Sequence, residues 1–401
     1  MKSILNFLLV LISLTVYSQT NTFMGASAGQ EGTANSHFGY VAGRVDGGKY
    51  NTFIGANSGE RNDLGTYNTF IGRASGSYNT GTSGNTFVGG LSGHRNTTGN
   101  SNSFLGFYTG FNNTSGTDNT FLGNQAGQYN KTGRYNTFVG RGSGFRSTAS
   151  HNTFVGRVAG YNNSSGMGNT YLGSAAGYKT TTSSYNLILG YYSGFNMLTG
   201  VRNVIMGSQS GYSNTNGSYN VFLGERSGFS NKGSNNVFLG RYSGYHETAS
   251  NRLYIDNTST SDPLIYGKFD TNQVGINTGT VPNGYAFAVN GKMITEEVKV
   301  QLYSAWPDYV FYKNYNLRTL AQLENFILKN GHLPNIPSAE AVSKDGISLG
   351  DMNAKLLEKI EELTLYIIQQ EKKIKASQSF NASLENRLLK LEGLVKKLNN
   401  N

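Results

Sequence analysis

The sequence predicts a mainly β protein: a β-solenoid, or β-roll, of about fourteen rungs of 16–17 residues, a small mixed α/β connector and a C-terminal parallel coiled coil. Three observations predict this order. A five-residue motif recurs through the first 250 residues, the composition changes near residue 251, and a heptad pattern occupies the C-terminus. The predicted segments are a signal peptide at 1–18, the solenoid at 19–251, the connector at 252–350 and the coiled coil at 351–401.

The first 18 residues have the pattern of a cleaved secretion signal. Lys2 supplies a positive charge, Ile4–Val16 is largely apolar, and the small residue Ser18 ends the segment. Thirteen residues are too few to span a bilayer, which takes about 20. We therefore expect an exported protein, secreted or held at the cell surface. The sequence has no cysteine, which excludes disulfides and a lipid-anchor site.

The recurring motif is Asn-Thr-Phe-aliphatic-Gly, and nine of its spacings are 17 residues, three are 16 and one is 14. A period this short is typical of a solenoid. Each copy continues with Gly-x-x-Ser/Ala-Gly and a polar tail, which predicts a rung of strand, turn, strand and turn. The 53 glycines fit such turns, because tight turns require positive φ. The motif asparagines are Asn21, Asn35, Asn51, Asn68, Asn85, Asn102, Asn119, Asn136, Asn152, Asn169, Asn186, Asn203, Asn220 and Asn236.

Strand alternation divides each motif between two faces. Asn136 and Phe138 are expected on one face, and Thr137 and Val139 on the other. The strands of later rungs are apolar on both faces, and such strands are usually buried on both faces. Because a thin coil can bury only one face inside itself, we expect the other face to meet a second copy of the chain. Ile205, Phe222 and Phe238 are expected inside the roll, and Val204, Val221 and Val237 at a subunit interface.

The predicted second strand carries one aromatic residue per rung. Such regular spacing fits a carbohydrate or nucleic-acid stacking platform, but a ladder of rings that holds the coil together is favoured. The residues are Phe145, Tyr161, Tyr178, Phe195, Tyr212, Phe229 and Tyr245.

The repeats resemble the β-roll heads of trimeric autotransporter adhesins and the repeat segments of phage tail fibres. The region 252–370 resembles the C-terminal region shared by tail-fibre-like bacterial surface proteins. This resemblance implies a secreted, adhesin-like trimeric fibre, and it implies no catalytic activity or bound cofactor. It rests on Leu253–Asn257, Leu264–Gly267, Val274–Asn277, Val289–Lys292, Trp306–Phe311, His332–Ser338 and Leu356–Ile367.

The connector is predicted to contain short strands and one helix. Leu264–Phe269, Gln273–Asn277 and Tyr285–Gln301 have alternating apolar positions. The spacing predicts a helix over Thr319–Asn330, opened by a capping box of Thr319 with Gln322 and closed by Gly331.

A heptad pattern then continues for 43 residues. Isoleucine at position a with leucine at d favours a parallel dimer, whereas the resemblance implies a trimer. We favour the trimer for two reasons. The polar residues Gln370, Ser377 and Asn381 interrupt the apolar a and d positions, and the attached β-roll could fix the number of chains in the oligomer. The candidate oligomerisation residues are Leu356, Ile360, Leu363, Ile367, Ile374, Leu384, Leu388, Leu391, Val395 and Leu398.

No catalytic, cofactor or metal site is expected from the sequence. No pair of its histidines has the helical spacing of metal ligands, so surface placement is favoured over ligation for those in the rungs. A self-cleavage site of His332, Ser338 and Lys344 is conceivable, but Ser338 is explained more simply as a helix cap. The five histidines are His37, His94, His151, His246 and His332.

The formal net charge of +10 could attract anionic partners, but solvated turn charges are the favoured explanation. Surface glycans or another envelope protein remain candidate partners, and nucleic acid is not expected for an exported chain. The predicted function is that of a structural or adhesin-like fibre without catalysis. The alternative is a tail-spike-like protein with a self-cleaving C-terminal chaperone or a carbohydrate-directed activity. The turn arginines are Arg73, Arg95, Arg134, Arg141, Arg157, Arg226 and Arg241.

Overall fold

In the computed structural model of the protein, the described residues are 21–25, 28–29, 32–301 and 306–399. They belong to two compact units, residues 1–293 and residues 294–401. The predicted signal peptide lies outside the described residues.

The first unit is a β-solenoid of about 16 turns, as the repeat spacing predicts. Strands β1–β14 are the fourteen motif copies, and β15 continues their parallel ladder. Strands β15, β16 and β17 then pair antiparallel, and β18 pairs parallel with β17. The strands are β1 Asn21–Met24, β2 Asn35–Phe38, β3 Thr52–Ile54, β4 Thr69–Ile71, β5 Thr86–Val88, β6 Ser103–Leu105, β7 Thr120–Leu122, β8 Thr137–Val139, β9 Thr153–Val155, β10 Thr170–Leu172, β11 Leu187–Leu189, β12 Val204–Met206, β13 Val221–Leu223, β14 Val237–Leu239, β15 Arg252–Ile255, β16 Ile265–Lys268, β17 Gln273–Ile276 and β18 Phe287–Val289.

The second strand predicted for each rung is wrong, because the Gly-x-x-Ser/Ala-Gly segment is a turn. After β6, Gly106, Tyr108 and Gly110 have φ of +138°, +57° and +56°. A backbone that enters the left-handed region at alternate residues cannot form a strand. Its N–H groups still bond to neighbouring rungs, as when Tyr108 donates to the Gly90 carbonyl at 3.1 Å. The stacked turns therefore give the backbone N–H and carbonyl groups hydrogen-bond partners in neighbouring rungs, as a β-sheet would.

The two faces of each strand are arranged as predicted. From Phe53 onward the motif phenylalanines are buried and stack along the solenoid, with the Phe104 and Phe121 rings 4.7 Å apart and 4° from parallel. The turn that closes over each ring needs glycine. Gly59 has φ of +56°, and a Cβ there would lie 2.6 Å from the Phe53 ring. Ile205, Phe222 and Phe238 are fully buried in this core, which confirms that part of the prediction.

The motif asparagines form a second buried ladder beside the rings. The Asn119 backbone N–H donates to Asn102 Oδ1 at 3.1 Å, and Asn119 Nδ2 donates to the Gly133 carbonyl at 2.9 Å. Asn119 Oδ1 accepts in turn from the Asn136 backbone N–H at 3.0 Å. Each asparagine thus satisfies backbone groups in the adjoining rungs and fixes their register.

Asn119→Ala should lower the free energy of unfolding by about 1–3 kcal/mol, because it leaves the buried Asn136 backbone N–H without a partner and removes one of two hydrogen bonds to the Gly133 carbonyl. Chemical denaturation of the full chain measures this loss. Thr120→Ala is the matched control, since Thr120 is the next residue of the chain but faces outward, and we expect a change within about 0.5 kcal/mol. Equal losses in the two variants would contradict a structural role for the ladder.

The solenoid unit extends beyond the predicted boundary at residue 251. Val237 of β14 pairs with Leu253 of β15, so the sheet continues without a break. Strands β16 and β17 lie within the predicted segments Leu264–Phe269 and Gln273–Asn277. The predicted strand Tyr285–Gln301 is reduced to β18, of three residues.

The second unit contains a 3-10 helix and three α-helices. The capping box of Thr319 and Gln322 is confirmed, and Gly331 ends α1 in the left-handed conformation. Ser338 caps α2, as predicted. Among the described residues, no helix combines the length and apolarity needed to cross a bilayer. The helices are the 3-10 helix Pro307–Phe311, α1 Leu320–Asn330, α2 Ala339–Asp345 and α3 Leu349–Asn399.

Candidate assembly interface

The ten apolar residues predicted as a coiled-coil seam all lie on α3, which runs unbroken through the heptad region. All ten are exposed in the single chain, from 42% for Leu384 to 76% for Leu398. A helix with one apolar stripe gains most of its stability in water from packing that covers the stripe. We call this stripe the α3 seam, with a positions such as Ile360 and d positions such as Leu363.

The chain's own connector covers the opposite face of the first part of α3, as far as Tyr366. Glu358 and Glu361 are only 6% and 8% exposed, although both are charged residues. The Tyr309 hydroxyl donates to Glu358 Oε2 at 2.8 Å, and Asn335 Nδ2 donates to Oε1 at 3.1 Å. Helical geometry places Glu358 and Glu361 about 100–140° beyond the a positions, away from the d positions. Intrachain packing therefore uses the back of this first part of α3 and leaves the seam uncovered, while from Ile367 to Leu398 every side of the helix is exposed.

The contacts on this back face shift the pKa values of two groups, Glu358 and Tyr309. Burial alone would raise the pKa of Glu358, but hydrogen bonds from Lys359, Tyr309 and Asn335 outweigh it and lower that pKa. The same bond to Glu358, together with burial, raises the pKa of Tyr309 to about 12. The neutral phenol and the carboxylate thus form a matched donor and acceptor pair at neutral pH.

The flanks of the seam carry opposite charges. Positions e include Glu371, Glu385 and Glu392, whereas positions g include Lys373 and Arg387. In a parallel coiled coil, g of one chain faces e of the next, so Arg387 would meet a partner's glutamate five residues further on. An antiparallel pair would instead oppose like charges. The flanks therefore favour parallel association.

A groove runs along the seam between α1 and α3, with a volume of about 490 Å³. Leu320, Leu323 and Leu333 form one wall, and the seam residues Leu356 to Ile367 form the other. The Tyr366 hydroxyl donates to the Arg318 carbonyl at 2.6 Å, which ties the start of α1 to α3. Leu320 and Leu333 are 50% and 40% exposed, so the groove is open as well as apolar.

The outward face of the solenoid strands is a second apolar surface. Leu105, Leu122 and Leu172 are each between 40% and 50% exposed. Val204, Val221 and Val237 are half-buried in the single chain. Their expected place at a subunit interface therefore stays a prediction.

The outer aromatic residues form the predicted stacking ladder. Phe145 and Tyr161 have centroids 4.6 Å apart and planes 4° from parallel, and the ladder continues to Tyr245. Since each ring face meets the ring of the next rung, the ladder presents only edges to solvent. A sugar or base stacks on an exposed ring face, so the ladder is better suited to holding rungs together than to binding either.

His37 contradicts the surface placement expected for histidines in the rungs. It occupies the motif's phenylalanine position in β2, is fully buried, stacks on Phe53, and lies against the Phe23 ring at an interplanar angle of 31°. Its Nε2 lies 2.8 Å from Asp46 Oδ2. The position within the motif was the signal that could have predicted this burial. His94 is half-buried beside Phe111, and burial lowers its pKa.

The residues considered for self-cleavage have structural partners. Ser338 Oγ accepts from the Ala341 N–H at 3.2 Å, His332 Nδ1 lies 2.9 Å from the Leu333 carbonyl, and Lys344 is in the last turn of α2. No group of three or more metal-ligating side chains occurs within the described ranges.

Several of the turn arginines are likewise engaged by neighbours. Arg95 lies over the Phe111 ring, and Arg226 lies over the Tyr242 ring. Arg241 pairs with Glu225 at 3.1 Å. Arg73, Arg134, Arg141 and Arg157 are exposed.

The fold defines this chain as a β-solenoid protein with a long C-terminal helix. Comparison with protein-family models, curated proteins and solved structures finds no match to it.

Proposed function

We propose that this chain is the subunit of an exported structural or adhesin-like fibre, which assembles through parallel self-association of α3 and has no catalytic role. One observation carries the proposal: an apolar heptad seam stays exposed along α3 from Leu356 to Leu398, although the chain covers the opposite face of the first part of this helix. The solenoid would serve as the projecting or binding part. Its stacked rings and asparagines make it a rigid body suited to that task.

The proposed location is the cell surface or the surrounding medium. Its support is the apolar N-terminal segment Ile4–Val16 and the absence of cysteine. Surface glycans or another envelope protein are the proposed external partners. The exposed arginines would favour an anionic surface.

Three chains are proposed in preference to two. Gln370, Ser377 and Asn381 interrupt the seam, which weakens the preference for a dimer that isoleucine at a and leucine at d would give. The outward solenoid face can add contacts that fix the chain number. An oligomer of two chains would contradict the trimer but keep the self-assembly.

The test is the mass of the protein in solution, measured by analytical ultracentrifugation and light scattering. We expect about three times the mass of one chain without its signal segment. Truncation after Asp351 should give slow, heterogeneous assembly, because near-identical rungs can pair out of register when no helix aligns them. A full chain that stays monomeric at micromolar concentration would refute the proposal.

A further inference from the structure

We propose that the groove between α1 and α3 receives α3 of a second copy of this chain, in parallel and in register, so that α1 acts as a clasp on the neighbouring subunit. This inference rests on the proposed self-association of α3. It adds a contact that the heptad pattern does not contain.

The first support is continuity between the groove and the seam. Leu356, Ile360, Leu363 and Ile367 line the groove and are also successive d and a positions. A partner helix that packs on these positions must pass over the open side of the groove. It would then touch Leu320 and Leu323 of α1.

The second support is the match of charge along the helix flank. In a parallel pair, the e flank of the partner lies against the g side of α3. The start of α1 lies on that side, beside the g residue Tyr366. Over the length of the groove, e positions are Leu357 and Thr364, which carry no charge. Beyond the groove, e positions include Glu371, Glu385 and Glu392, opposite the basic g positions. The uncharged part of the partner's e flank would therefore lie against the apolar wall that α1 supplies.

Alanine substitution of α1 tests the clasp. The double variant L320A/L323A should weaken association of the full chain at least tenfold, measured by sedimentation equilibrium. L328A is the matched control, because Leu328 is a leucine of the same helix that is 79% exposed and does not line the groove. We expect it to change association less than twofold. A double variant that associates as tightly as L328A would overturn the proposal.

A cross-linking experiment covers the case in which the double variant fails to fold. A benzophenone amino acid is placed at position 323, with position 328 as control, in otherwise unchanged chains. Illumination of the position-323 protein should give a covalent dimer, with the bond mapped by mass spectrometry to residues 357–371 of the other chain. Cross-linking only within one chain, or equally from both positions, would overturn the proposal.

A seam variant separates failure of the clasp from failure of the proposed function. Ile374 lies beyond the groove, and Ile374→Asp should weaken association by more than about 100-fold if α3 assembles at all. If that variant dissociates while L320A/L323A does not, only the clasp is refuted. If neither changes the oligomer, self-association through α3 is refuted as well.

Discussion

Replacing Ile374 and Leu388 together with aspartate should convert the assembled protein into single chains. Each carboxylate would be buried without a partner in an apolar seam, at a cost of several kcal/mol. Because 1.4 kcal/mol is a factor of ten, the association constant should fall by more than about 100-fold per substitution. Sedimentation equilibrium on the full chain measures the change.

The matched control places the same charges on the outer side of α3. Ser379→Asp and Asn386→Asp occupy f positions, which face away from the seam, and should leave the oligomer intact. This experiment spares the contacts of Glu358 with Tyr309 and Asn335, which truncation after Asp351 would remove. An unchanged mass in the Ile374 and Leu388 variant would show that the seam is not the interface.

Phe121→Ala should lower the free energy of unfolding by about 3–5 kcal/mol, the usual cost of emptying a buried aromatic site. Phe121 is 1% exposed and stacks on Phe104 and Phe138, each at 4.7 Å. Because each rung is stabilised mainly by its neighbours, the cavity weakens the contacts with both of them. Chemical denaturation measures the total, and hydrogen exchange shows whether the loss is local.

Leu122→Ala is the control for this prediction. Leu122 follows Phe121 on the same strand but faces outward and is 42% exposed. Truncation there removes less buried surface and should cost under about 1.5 kcal/mol. If it costs as much as Phe121→Ala, the outward face is itself buried in the protein in solution and contributes as much to stability as the stacked phenylalanines do.

Much of the fold could be predicted because its cues are periodic or local. The motif spacing predicts stacked rungs, and strand alternation predicts that Phe121 faces inward and Leu122 outward. The bounds of α1 follow from Thr319, Gln322 and Gly331, whose hydrogen bonds reach only a few residues. The α3 seam follows from the heptad alone, as an exposed stripe on one helix.

Other features depended on contacts between residues that are distant in sequence. The turn around Tyr108 looks like a strand in sequence, yet its left-handed backbone is held by hydrogen bonds to the adjoining rungs. His37 is buried because two rings and Asp46 enclose it. Local sequence does not show how far the sheet continues past residue 251.

The sequence by itself determined the repeat, the inward and outward sides of each strand, and the one apolar stripe of α3, because each is set by the geometry of a single rung or helix. Only the tertiary structure decided that the back of α3 is covered as far as Tyr366 while the seam is open, and that α1 forms a groove beside it. The reason is physical. Glu358 is held by Tyr309 and Asn335, which lie 49 and 23 residues away in the chain, and no periodicity records a contact of that range.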